Sequence, residues 1–259
     1  MAMQDAGVTE ITTNPEAYAR YLEMQGDNPT YSPGNIALTM LQNPEATLVG
    51  TKERWKTLGR SVLDAESGNG VKIFTRASFG KGYSLVDVFD VKQTHGREVK
   101  PPTLTEDSKE METALTMLLN YAVVPVVVDG ELNGPALYDE QKMELAINPD
   151  YPDSEAFPAI ATEIAHCRFH AKGANPAYTR EESELDAQSV SYILCKRFGV
   201  QRDLPDLSDL TVLYDGWTPQ ERRQALDSIQ NMEKQIGGSI ERGITPPQRS
   251  RATPNRIAR

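Results

Sequence analysis

Apolar residues along the chain fall into short periodic blocks separated by polar, Gly- and Pro-rich links, and the period changes along the way. After a polar lead without clear spacing, residues 14–24 read as a short helix. Residues 35–41 read as another (Ile36, Leu38, Leu41), stopped at Asn43-Pro44, where the proline has no N–H to continue it. Residues 52–60 form a short turn or helix. Blocks of strand character follow at 71–75, at 83–89, where Val86 and Val88 alternate with polar neighbours, and from Val91 onward. Ser67-Gly68-Asn69-Gly70 and Phe79-Gly80-Lys81-Gly82 are hairpin-type links between them.

Helical spacing returns at 106–120 (Met111, Leu115, Leu118, Leu119), and strands are predicted at 123–128 and 142–147. The apolar run 122–128 is the longest in the chain. It suits a buried strand and falls far short of the roughly 18 residues that span a membrane. Helices are predicted at 154–170, 180–197 and 219–236, the first two joined through Gly173 and Pro176. The pattern predicts an α+β protein. A small α/β unit over 1–103 closes near Pro101-Pro102, and a second unit over 104–243 has a short sheet and a central motif helix. A basic tail, 244–259, is predicted to be disordered, with Pro246, Pro247 and Pro254 among several arginines.

Charge sharpens this division. The net charge of −10 argues against a nucleic-acid partner, but its distribution reverses the argument locally. Residues 51–100 carry ten Lys/Arg against six Asp/Glu, whereas 101–150 carry two against ten. Two units with different electrostatic tasks are the natural inference. Cys167 and Cys195 make neither a disulfide framework nor a CxxC knuckle, and Asp5 and Glu10 stand where a signal peptide would be basic, so a cytoplasmic setting is expected.

The chemistry-bearing stretch is Ala161-Thr162-Glu163-Ile164-Ala165-His166-Cys167-Arg168-Phe169-His170. In H-E-x-x-H, two histidines one helical turn apart hold zinc and the intervening glutamate activates the bound water. Glu163 and His166 keep that register, but Thr162 replaces the first histidine. Glu163, His166 and His170 share one helix face, and Glu184 near the start of the next helix is placed as a third, acidic ligand. ExxH is common on ordinary helices, and acids at a helix start are expected from the dipole alone, so a plain buried helix stays open as an alternative.

The segments Leu137-Tyr138-Asp139, Glu163-Ile164-Ala165-His166 and Glu184-Leu185-Asp186-Ala187-Gln188-Ser189 resemble the ImmA/IrrE-type metallopeptidase domain. Tyr31-Ser32-Pro33-Gly34-Asn35, Trp55-Lys56-Thr57-Leu58-Gly59-Arg60, Phe89-Asp90-Val91-Lys92-Gln93-Thr94 and Tyr214-Asp215-Gly216-Trp217 are similar to ArdC-like plasmid antirestriction proteins. The resemblance implies an N-terminal domain that binds single-stranded DNA and a zincin-like C-terminal core. A single strand needs a basic groove and aromatic faces, and 51–100 supply Trp55, Phe74, Phe79, Tyr83 and Phe89 among their cations. Lys52, Arg54, Trp55, Lys56, Arg60, Lys81 and Lys92 are the candidate DNA contacts; Trp55 is also readable as core, and Phe74 and Phe89 are read as core because they lie in strand patterns.

The threonine decides what is expected of the second unit. Either zinc is weakly held by His166 and Glu184 with His170 replacing the lost ligand, or no metal binds. The expected function is single-stranded DNA binding in an antirestriction or conjugation setting of a bacterial mobile element, with a degenerate peptidase domain. The alternatives are an active zinc peptidase with Glu163 as base, and a protein-interaction scaffold. Restoring the imidazole by Thr162→His is expected to raise zinc affinity, because it returns a third ligand.

Overall fold

The computed structural model describes residues 2–77, 82–171 and 177–245. The predicted tail from residue 246 on, Lys81, Phe79 and the loop through Gly173 and Pro176 lie outside these residues, whereas Ile244, expected in the tail, ends a helix. The polar lead is in fact a helix, α1 (Ala2–Thr13), which buries Gln4, Gly7, Val8, Ile11 and Thr12. Its buried face mixes small and polar residues with two aliphatics, which is why no apolar period marks it. α2 (Pro15–Asp27) starts at Asn14, whose side chain accepts from the Glu16 and Ala17 amides, and α3 (Pro33–Gln42) ends at the predicted Asn43-Pro44.

A three-stranded antiparallel sheet in the order β1-β4-β3 follows, from β1 (Val49–Gly50), β3 (Val71–Arg76) and β4 (Tyr83–Asp90). α4 (Lys52–Thr57) sits beside it, and β2 (Arg60–Val62) pairs with β5 (Thr94–Gly96) as a separate ribbon. The open edge of β3 is occupied by side-chain amides of α3. Asn35 pairs with both backbone groups of Phe74, and Gln42 pairs with both of Lys72, so the edge is closed to further strands.

The second sheet, β6-β8-β7, is mixed: β6 (Val126–Val128) runs parallel to β8 (Glu144–Ile147), and β7 (Ala136–Asp139) runs antiparallel to it. The expected buried strand is thus short and on an edge, with Val126 39% and Val128 71% exposed. Pro125 cannot donate to a ladder, which delays the start of pairing. α5 (Lys109–Leu119) precedes this sheet, and α6 (Asp153–Ala171) and α7 (Arg180–Phe198) follow it and pack on each other. Gly199, at φ +66°, ends α7 in the left-handed conformation.

After α8 (Leu210–Leu213), α9 (Pro219–Ile244) runs beyond its predicted end at 236 and through Gly237-Gly238. Those glycines permit a close approach rather than a stop. A Cβ on Gly237 would lie 2.4 Å from Arg197 Nη1, the group that pairs with buried Glu233 at 2.6 Å. α1 and α3 pack on α9 and α2 packs on α7, so one continuous core runs across the point near residue 103 where composition changes. No helix of the described residues is long and apolar enough to cross a membrane.

Candidate functional site

The motif helix α6 is started from outside itself: the Glu106 carboxylate accepts from the amides of Asp153 at 2.6 Å and Ser154 at 2.9 Å. Capping thus brings Glu106 to Asp153, and with Asp107 they form a group of carboxylates within 4.8 Å of one another. Inside the helix, the Pro158 carbonyl accepts from Thr162 Oγ1 at 3.0 Å, Ser191 Oγ at 2.7 Å and Arg202 Nη1 at 3.0 Å. Thr162 is thereby turned onto its own backbone, as mid-helix threonines often are. Ile160, Ile164, Val190 and Ile193, the apolar residues along the α6–α7 crossing, are all buried.

The crossing brings Glu163, His166 and Glu184 together, but around an arginine. Arg180, the first residue of α7, grips Glu163 with two N–H groups, at 2.5 Å to Oε1 and 3.1 Å to Oε2, and lies 3.9 Å from Glu184. Glu163 Oε2 also accepts from the Tyr138 amide on β7 at 2.8 Å. A cation at a helix N-terminus opposes the dipole; here the buried carboxylate of Glu163 offsets that cost. Arg180 was the functional residue missed by reading the sequence, and a lone cation among acids at the start of a helix was the available signal.

His166 is fully buried, with Nε2 3.1 Å from Glu184 Oε2 and Nδ1 3.0 Å from the Tyr178 hydroxyl. An ionised carboxylate only accepts, so the contact with Glu184 is made by the Nε2–H tautomer of His166. The His166 hydrogen bond, with help from Gln188 at 2.6 Å and from Arg180, brings the Glu184 carboxyl down to about 2 against the cost of burial. His170 does not converge with His166 and Glu184 on one point. Its Nδ1 meets the Tyr138 hydroxyl at 2.7 Å, and its ring stacks on Tyr178 at 4.7 Å between centroids.

Among the described residues, no three ligand atoms of Glu163, His166, His170 and Glu184 lie within 4.8 Å of one another. The donor set does not fit a divalent ion, and Glu163, held by Arg180 and the Tyr138 amide, is not free to deprotonate a water. Cys167 and Cys195 are buried free thiols, and burial pushes Cys195 up to about 12, which leaves no thiolate there to ligate.

The candidate DNA contacts divide sharply. Trp55 is buried, with its indole N–H donating to the Phe89 carbonyl at 2.9 Å, so it cannot stack on a base. Arg60 is a structural clip: its guanidinium donates to Thr94 Oγ1, the Thr94 carbonyl and the Arg97 carbonyl at 2.7, 2.9 and 2.6 Å. Lys92 is exposed but donates to the Glu45 carbonyl at 3.0 Å, and Lys52 lies over the Phe89 ring at 5.3 Å. Arg54 and Lys56 are exposed on α4. Lys56 also lines a cleft of about 590 Å³ with Gly59, Arg97 and Lys100, a basic groove in which Glu98 is the one acid. On the outer face of the β3–β4 hairpin, Tyr83 is 74% exposed with its ring in edge contact with Phe74.

No family model and no curated protein matches the sequence. Among solved structures, the chain is similar to the Mn(II)-bound antirestriction protein ArdC of plasmid R388, at 14% identity and a TM-score of 0.55, over 95% of this chain and 99% of that one. The metal-free form of that protein aligns over 83% of this chain with a TM-score of 0.47. The chain therefore has an ArdC-like α+β fold.

Proposed function

We propose that this chain is an antirestriction protein of bacterial mobile-element type that binds single-stranded DNA through residues 51–100. Its peptidase-like half serves as a closed scaffold without metal. The observation that carries the reading is the basic groove of Lys56, Arg97 and Lys100 beside α4, in a protein whose net charge is −10. Positive charge held together against such a background is an electrostatic footprint for phosphates. Arg54 adds an exposed cation on the same helix, and Tyr83 on the β3–β4 hairpin offers an exposed ring for base stacking. The ArdC-like fold supports the antirestriction setting.

The closed scaffold follows from the partners of Glu163 and His166. Peptide hydrolysis at this centre requires a free general base beside a metal-bound water, and Glu163 has given its two oxygens to Arg180 and Tyr138.

Anisotropy of a labelled oligonucleotide measured at several salt concentrations tests the reading. Single strands should bind more tightly than duplex, with affinity falling steeply as salt rises. Replacing Lys56, Arg97 and Lys100 together with alanine should lower the salt slope by about 2, since each phosphate contact on a single strand contributes roughly 0.7. An unchanged slope removes the groove from the argument, and equal affinity for duplex removes the preference for single strands.

A further inference from the structure

The opposite face of α7 carries a second carboxylate in a very different environment. Asp186 follows Glu184 by two residues, about 200° around the helix. It lines a cleft of about 480 Å³ with Glu182, Tyr214 and Trp217, between α7, α8 and the start of α9. Asp186 is partly buried and makes no hydrogen bond or ion pair among the described residues. Its surroundings are aromatic: the Tyr18, Tyr21 and Tyr214 rings are buried nearby, and Tyr18 binds Ser189 on the next turn of α7.

The cations on the first turns of α9 are engaged elsewhere. Arg222 donates to the Trp217 carbonyl at 2.9 Å, the Tyr214 carbonyl at 2.6 Å and Thr12 Oγ1 at 2.8 Å, and Arg223 pairs with Asp5. At the cleft's rim, Trp217 is 43% and Val212 72% exposed, and the Trp217 ring stands edge-on to Tyr214 at 5.3 Å. Burial pushes the Asp186 carboxyl up to about 7, and no cation among the described residues pairs with it.

We propose that this cleft binds a cationic side chain, the ammonium of a lysine or the guanidinium of an arginine, presented by a partner polypeptide. The carboxylates of Asp186 and Glu182 supply charge complementarity, and the exposed indole of Trp217 supplies a cation–π face. Val212 and Leu213 cover the aliphatic stem. An uncompensated carboxylate beside an exposed tryptophan is the arrangement a cationic ligand completes. The site is separate from the DNA groove, so either can fail alone.

Tryptophan fluorescence tests the proposal on the full chain. Of the two tryptophans, Trp55 is 1% exposed and gives a constant background, so changes report on Trp217. Capped Gly-Lys-Gly and Gly-Arg-Gly peptides, titrated at pH 8, should give saturable changes whose relative affinities distinguish ammonium from guanidinium. Capped Gly-norleucine-Gly should give none. Asp186→Asn, an isosteric change, should weaken cation binding at least about tenfold, and Glu182→Gln about two- to threefold. Equal responses to norleucine and lysine, or unchanged affinity in Asp186→Asn, would overturn the proposal. The chain's own Arg249, Arg251, Arg256 and Arg259 are the competing occupant. Replacing all four with alanine should leave peptide affinity unchanged, and a rise of threefold or more would overturn assignment to a separate partner.

Discussion

Glu184 and Asp186 stand two residues apart on α7 and have opposite electrostatic fates. On one face, Glu184 is answered by His166, Gln188 and Arg180, and these partners lower its carboxyl to about 2 against the cost of burial. On the other, Asp186 has no such partner and burial raises it to about 7. The first face is self-sufficient: Arg180 supplies from within the chain the positive charge that its acids require. The second has no such answer among the described residues. Satisfied charges hold helices together, and unsatisfied ones mark where a ligand is worth seeking.

The largest test of this contrast is metal affinity. Thr162→His alone should gain little, contrary to the expectation from ligand counting, because the Arg180 guanidinium, 3.9 Å from Glu184, keeps a positive charge at the site. Thr162→His combined with Arg180→Ala should bind zinc or manganese at least roughly 100-fold more tightly than wild type, read by isothermal titration, because the added imidazole joins His166 and Glu184 as a third ligand and no guanidinium repels the ion. Tight binding by wild type would show that Arg180 is no obstacle.

Next in size is the stability of each face. Arg180→Met should destabilise the fold by about 1–3 kcal/mol in urea unfolding, because it strands the buried Glu163 carboxylate, with the exposure of the arginine keeping the loss near the lower end. Asp186→Asn should act in the other direction. The folded carboxyl lies near 7, above its ordinary 3.8, so the folded state holds the proton more tightly. Its stabilising contribution is complete below 3.8 and is lost as pH rises through 7. Tyr18, Tyr21 and Tyr214 face this carboxyl and stay protonated over that range, while Glu182 adds like charge. Asp186→Asn should therefore match wild type near pH 4 and exceed it at pH 8 by about 1–3 kcal/mol, below the full linkage value of about 4 because the group is partly solvated. A variant less stable than wild type at pH 8 would mean Asp186 has a partner in the fold.

The smallest effect belongs to Gln188→Ala. Its bond to Glu184 is one of several, so a loss of about 0.5–1 kcal/mol is expected. A loss above about 2 kcal/mol would make the satisfied face less redundant than described.

Much of this was readable from residue order. The spans of α3, α6 and α7, the β3–β4 hairpin and the approach of Glu163, His166 and Glu184 follow from period, caps and helical register, all local properties. The helix over residues 2–13 was not readable, since its buried face includes Gln4, Gly7 and Thr12 and carries little hydropathy contrast. Neither was the loss of Trp55 and Arg60 from the DNA candidates. Both have the right chemistry, and only the return of residues 89–97 to the start of β2 engages them internally.

The sequence by itself determined which side chains lie on which helix faces, where positive charge is concentrated, and that one ligand of a metal motif is missing. The tertiary structure decided which partner each charge meets: Arg180 for Glu163, Tyr138 for His170, and none among the described residues for Asp186. Faces and periods are set by residues three or four apart, whereas a charge is satisfied by whatever the packing of distant segments brings within about 3 Å.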